Sequence, residues 1–197
     1  DRIINIGEEG RKILGSGLSS NKSLLTLSLC NASINDIGMR NLVAGLVSNT
    51  SLQALDISSN TSITAAGLSH FKQYFEAPTC SLQILGIYSI NIGDDGALAL
   101  VDALTHNSTL EELRLWRDSC GITETGWKAF SKLLCDDTSP NNAYLSNHTL
   151  RRIGIDNDEF MNGVTPWLEV NKHSGSPSMA GKIKVLRGFS DLNMTPL

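Results

Sequence analysis

The chain has 197 residues, a net charge of -4 and 16 Lys plus Arg scattered along its length, with an isoelectric point near 5.5. It offers no basic face to neutralise a phosphate backbone, so nucleic acid is not an expected partner. The densest apolar stretch, Ala97 to Leu104, contains Asp102 and is far shorter than the roughly 20 residues needed to cross a bilayer, so no membrane span is expected.

Asp1-Arg2-Ile3-Ile4-Asn5 has no basic region followed by a long apolar run and does not read as a secretory signal. Residues Asn5 to Gly10 (NIGEEG) then parallel Asn91 to Gly96 (NIGDDG), and Leu14, Leu18 and Asn21 follow at helical spacing. Residues 1–23 are therefore expected to be the helix half of a partial repeat. A first unit without its strand would show apolar side chains and unpaired backbone groups. The chain is thus expected to be a piece of a longer protein, or to be sealed at that edge by a neighbour.

Five stripes of the form Leu-x-x-Leu-x-Leu, or its isoleucine variant, follow: Leu24/Leu27/Leu29, Leu52/Leu55/Ile57, Leu82/Leu85/Ile87, Leu110/Leu113/Leu115 and Leu150/Ile153/Ile155. The last two members of each are two residues apart, which sends both to one face of a short strand and the residue between them to the other. After four of the stripes an isoleucine precedes a glycine by four residues: Ile34/Gly38, Ile63/Gly67, Ile92/Gly96 and Ile122/Gly126. The residues between include Asn35-Asp36, Thr64-Ala65, Gly93-Asp94-Asp95 and Thr123-Glu124. Capping residues and first-turn carboxylates mark a helix start there. Leu42/Leu46, Leu100/Leu104 and Phe130/Leu134 continue at helical spacing, and the junction Asn-x-Ser/Thr-Leu opens the next stripe.

A unit of about 29 residues is too small to bury a core alone, so each must stack on its neighbours. These motifs, in register over roughly residues 5–157, resemble the leucine-rich repeats of the ribonuclease-inhibitor type, also found in NOD-like receptors. The resemblance implies an α/β fold: a right-handed, curved βα solenoid or horseshoe, with parallel strands on the concave side and helices on the convex side. It also implies binding as the usual role. Residues 24–157 would be the repeats. That family places Asn or Cys three residues after the last strand leucine; here the positions hold Ala32, Asn60, Ile90, Asp118 and Asp158, so a continuous asparagine ladder there is not expected. Waters or shifted backbone bonds are expected to satisfy some of those turns.

The fourth repeat runs 40 residues from Leu110 to Leu150, with its excess near Cys135 to Asn147. That insertion is expected to be a solvated elaboration with Tyr144 and Leu145 tucked against the array. Beyond Ile155 the pattern fails, and Val164, Trp167, Leu168 and Asn171 share a face behind Pro166. Residues 158–197 are expected to be a capping helix and tail, with a short basic helix over Gly181 to Phe189.

Residues flanking the stripe leucines should form the displayed face of the strands. The first two rows are small: Thr26, Ser28, Cys30 and Ala54, Asp56, Ser58. The following rows bring Tyr88, Glu112, Arg114, Trp116, Arg152 and Asp156 onto that face, with Arg117 adjoining. Exposed Tyr, Trp and Arg dominate interface energetics, so these seven residues are the candidate partner-binding set.

Cys30, Cys80, Cys120 and Cys135 lack CxxC spacing and paired histidines, and read as reduced thiols. Seven Asn-x-Ser/Thr sites occur, at Asn21, Asn31, Asn49, Asn60, Asn107, Asn147 and Asn193. Four of them sit at the repeat junction, where repeat chemistry accounts for them without sugar. No HExxH, Gly-x-Ser-x-Gly or phosphate-cradling loop is present. The expectation is a cytoplasmic protein-binding module with no catalytic residues, no metal and no cofactor. The resemblance also admits a regulator that stimulates a small GTPase, and a third reading is a structural subunit of a larger assembly.

Overall fold

The computed structural model describes residues 7–154 and 163–189. The parallel drawn at Asn5 and Ile6, the stripe end Ile155, the turn position Asp158 and the sequon at Asn193 lie outside these residues. Each leucine stripe forms a short strand: β1 Thr26–Ser28, β2 Ala54–Asp56, β3 Ile84–Gly86, β4 Glu112–Arg114 and β5 Arg152–Ile153. All five lie in one parallel sheet in chain order. Its register sets Leu27, Leu55, Leu85, Leu113 and Ile153 side by side.

Parallel strands need long crossovers, and helices supply them here. Helix α1 Gly7–Ser20 precedes β1, and α2 Asp36–Leu46 joins β1 to β2. The next crossover is split into α3 Ala65–Ser69 and α4 Phe71–Phe75; α5 Gly93–Leu104 joins β3 to β4. Between β4 and β5 come α6 Arg117–Cys120, α7 Glu124–Leu134 and α8 Pro140–Leu145, and α9 Thr165–His173 and α10 Pro177–Gly188 follow. The fold is mixed α/β, with the core between sheet and helices: Leu55, Leu85 and Leu113 pack with Leu42, Leu68, Phe71, Leu100 and Phe130. No helix of the described residues is long and apolar enough to cross a membrane.

The Ile-x-x-x-Gly signal has a steric cause. Ile34, Ile63, Ile92 and Ile122 are buried at the helix starts, and a Cβ on Gly96 would lie 2.5 Å from Cβ of Ile92, or on Gly126 2.6 Å from Cγ2 of Ile122. Asn35, Thr64 and Thr123 cap α2, α3 and α7 through their side chains. Helix α5 departs from this, since Ile92 gives no side-chain cap and Gly93 takes the left-handed conformation at φ 60.

First-turn carboxylates act across repeats as well as on their own helix dipole. Asp36 accepts from the backbone N–H and hydroxyl of Thr64, both at 2.8 Å. Asp94 accepts from the N–H (2.8 Å) and hydroxyl (2.6 Å) of Thr123, and from Gly126 N–H at 3.1 Å. The Thr123 hydroxyl bond is the main reason the Asp94 carboxyl is held below its ordinary range.

Turns after the strands continue the ladder in its own register, in place of the shifted backbone bonding expected there. Asn31 N–H donates to Ser58 O and Ser59 N–H to Tyr88 O, and Asn31, Ser59 and Ser89 share positive φ of 53, 61 and 54. Among the described side chains at these turn positions, Asn60 is the one polar group: its Oδ1 accepts from Ala32 and Ile34 N–H, and its Nδ2 donates to Leu29 O and Ile57 O. The position read at Asp118 falls inside α6 instead of a turn.

An asparagine ladder does exist, but at the repeat junction. Asn49 Nδ2 donates back to Leu18 O and Asn21 O, while Asn49 Oδ1 accepts from Ser51 and Leu52 N–H. Asn147 does the same with Leu104 O and Asn107 O, and with Thr149 and Leu150 N–H. Asn107 holds Phe75 O, and Thr79 reaches Val47 O where the third repeat lacks asparagine. One amide thus ends a helix, starts a strand and ties two repeats together. Asn49, Asn60, Asn107 and Asn147 are buried in these roles, and Asn21 and Asn31 are exposed.

Helix α9 buries Leu168, Val170 and Asn171, with Val164 buried and Trp167 packed against the core. Asn171 Nδ2 donates to Asn147 O and Leu150 O, adding a rung beyond the last strand. Its Oδ1 is buried without a partner, and among the described residues no strand follows α9 to donate an N–H. The insertion forms α8, capped by Ser139 and packed on α10. Here the expectation needs correction: Leu145 is 66% exposed instead of tucked in, and Tyr144 turns its hydroxyl to Ser178 Oγ at 3.3 Å.

Candidate functional site

Strand register assembles the candidate set. Ile84 pairs with Glu112, so two residues past the strand ends Tyr88 comes beside Trp116. Trp116 stays extended at φ -104, ψ 123, continuing the strand alternation before α6 begins. The two rings meet with centroids 5.9 Å apart at 51°, a tilted geometry that aromatic pairs favour. Trp116 remains 53% exposed. Ser58 holds the row below it, its hydroxyl accepting the Tyr88 N–H at 2.9 Å.

One row over, Arg114 lies between Gly86 and Gly154 in the register, so glycine on both sides leaves its side chain room over the sheet. Its Nε donates to Glu112 Oε1 at 2.9 Å and its Nη2 to Oε2 at 3.4 Å. Arg152, paired with Glu112 on β5, donates to the same Oε1 at 3.3 Å. Burial alone would raise the Glu112 carboxyl, yet the bonds and charges of Arg114 and Arg152 outweigh it and hold the group below its ordinary range. Burial lifts the Tyr88 phenol, with Arg114 opposing and Glu112 and Asp56 adding to the rise. Two guanidiniums sharing one carboxylate leave this trio net positive beside an exposed indole.

Tyr88, Glu112, Arg114, Trp116 and Arg152 are therefore one cluster. The Arg117 side chain and all of Asp156 lie outside the described residues. Ser58, read as displayed, is buried and serves as the support under Tyr88. Sequence reasoning ranked Asp56 with the small rows, although it leans over Gly86, 3.0 Å from where a Cβ would stand. Its signal was present in the strand alternation. The Glu112 bridge had the same signal, since Glu112 and Arg152 each lie two residues after the first leucine of their stripe and pair in the register, and Arg114 follows two residues on. Among the described residues no group of His, Cys, Asp and Glu is placed to hold a metal ion.

No protein-family model matches the chain. The chain is 31% identical over 157 residues to mouse NACHT, LRR and PYD domains-containing protein 12, a match covering 78% of this chain and 14% of that protein. It is 30% identical over 133 residues to pig ribonuclease inhibitor, covering 67% of this chain and 28% of that protein. The chain thus spans a minor part of the relatives' length. Among solved structures, Leiomodin-1 Actin-Binding Site 2 superposes with a TM-score of 0.64 at 19% identity, covering 94% of this chain and 98% of that one. The repeats are leucine-rich repeats of the ribonuclease-inhibitor and NOD-like-receptor type.

Proposed function

We propose that this chain is a protein-binding module that recognises a macromolecular partner through one face of its sheet, without chemistry of its own. In this reading the repeats coil as a right-handed curved solenoid, strands on the concave side and helices outside, and the partner lies across Tyr88, Glu112, Arg114, Trp116, Arg117, Arg152 and Asp156. Residues 1–23 would be a half repeat, 24–157 the array, and 158–197 the cap and tail. The observation that carries it is the exposed indole of Trp116 tilted against Tyr88 beside the Arg114–Glu112–Arg152 bridge. Aromatic and arginine side chains gathered at one spot are the groups that supply most binding energy in interfaces. The four free cysteines fit a cytoplasmic, reducing setting.

Affinity capture from cell extract with wild-type and Trp116→Ala/Arg114→Ala protein, with stability followed by denaturation, tests the reading. The variant is expected to lose partners recovered by the wild type, at roughly a hundredfold weaker affinity, while its stability changes by less than about 1 kcal/mol. Equal recovery of the same partners by both proteins would remove the site.

A second reading, a subunit whose first strand is covered by a neighbour or by further repeats, has its own support. Leu24, Leu27 and Leu29 are only partly buried, and Leu25 is 52% exposed.

A further inference from the structure

Helix α10 is built inside out. Its buried residues are Ala180, Gly181 and Lys184, whereas Met179 and Leu186 are exposed. Alanine and glycine bury little apolar area, and Ile183 and Val185 are only partly buried, so the docking of α10 draws modestly on the hydrophobic effect. Its contact with α8 is close: a Cβ on Gly181 would lie 2.9 Å from Tyr144 Cδ2 and 3.2 Å from His148 Nε2.

Polar contacts hold the helix instead. Lys184, fully buried, donates from Nζ to Asn147 O at 2.8 Å and faces His148 Nδ1 at 3.0 Å. The other ring nitrogen of His148 lies 2.7 Å from Tyr144 O, an acceptor only, which puts the ring proton on Nε2 and leaves Nδ1 to accept from Lys184. Asn147 O also takes the Asn171 rung of the ladder.

Among the described residues, the titratable and charged groups around this pair come from four elements. The end of α7 brings Cys135, a buried thiol pushed up by burial and drawn back by Lys184; Asp136 and Asp137 act on that thiol. Asp136 is engaged by Thr138 and Lys132. Helix α8 brings Tyr144, and α9 carries Glu169, Lys172 and His173, which pair with one another. Lys182 and Arg187 on α10 are exposed. Among the described residues no carboxylate bonds to Lys184. An ammonium there is a buried charge that no described carboxylate balances, and a proton on His148 Nδ1 would set a second cation 3.0 Å away.

We propose that the packing of α10 on α8 is a proton-sensitive latch, in which protons added to the Lys184–His148 pair loosen α10 while the strand ladder stays closed. The ladder survives because its last rung comes from Asn171 on α9, and Gly175, at φ 73 between α9 and α10, is a swivel that glycine allows. Once undocked, a 12-residue helix is marginal in water and frays.

The sign follows from burial. Burial lowers Lys184 to about 7 and, with the Lys184 charge adding and the Tyr144 bond opposing, lowers His148 below its ordinary value. The undocked helix therefore binds protons that the docked one refuses, and docking weakens as pH falls. For Lys184 the window runs from the ordinary lysine range down to about 7; for His148 it lies below about 6.5.

Hydrogen exchange of the whole chain, divided by intrinsic rates, reads the latch directly. Between about pH 7 and 9, protection of residues 177–188 is expected to rise by up to tenfold per pH unit, with residues 82–115 as reference. Lys184→Met should flatten this rise. His148→Gln should keep it and lose only the further drop below about pH 6.5. Wild-type protection of α10 that is constant with pH, or the same dependence in Lys184→Met, would overturn the latch. If Lys184→Met fails to dock, an unchanged acid limb in His148→Gln overturns it independently.

Discussion

The two edges of the sheet carry the same leucine signature and hold it differently. At β1, Leu24, Leu27 and Leu29 are partly exposed and Asn21 is exposed. At β5, Leu150 and Ile153 are buried, and Asn171 on α9 hands two hydrogen bonds back to the repeat before it. The motif alone therefore does not bury its own leucines. Burial comes from whatever stacks on the motif, as expected of a fold whose stability is a sum over neighbouring units.

The sharpest way to break that comparison is to truncate equivalent leucines. Leu85→Ala, in mid-sheet, is expected to cost about 3–4 kcal/mol in urea unfolding, and Leu27→Ala at the edge about 1 kcal/mol. Equal costs would mean that β1 is covered in solution, favouring an assembled form. Next in size is the ladder. Asn147→Ala removes an amide that bonds Leu104 O, Asn107 O and two N–H groups and should lower stability by about 2–3 kcal/mol, against about 1 kcal/mol for Asn21→Ala.

The smallest expected effect is a pH dependence. Thr123 holds the Asp94 carboxyl below its ordinary range, so its contribution to stability is present above that range and is lost as acid protonates it. Unfolding midpoints of wild type should fall between about pH 5 and pH 2, and Asp94→Ala should start lower and fall less. A variant with unchanged slope would show that the cap between repeats contributes nothing.

Much of this was legible from spacing. The stripes predicted the strands and their common face, and Ile-x-x-x-Gly predicted helix starts at Asn35, Thr64 and Thr123. Tyr88, Arg114 and Trp116 could be placed on one surface from the period-two alternation alone. Other features were not legible. Asp36 and Asp94 read as ordinary first-turn carboxylates, because the spacing of 28 and 29 residues to Thr64 and Thr123 sets which repeats adjoin and not which side chains bond across them. Leu145 read as packed because apolar residues usually are, yet α10 covers α8 from a side that leaves it in water.

What the chain determined by itself is the periodic part: strand, turn, helix and their register, because each depends on bonds and side-chain directions within one unit or between identical neighbours. What only the tertiary structure decided is everything where unlike elements meet. The buried Lys184 against His148, the packing of α10 on α8, and the unequal burial of the two edges depend on meetings between elements that no repeat relates. A periodic pattern encodes contacts at its own period and is silent on the rest.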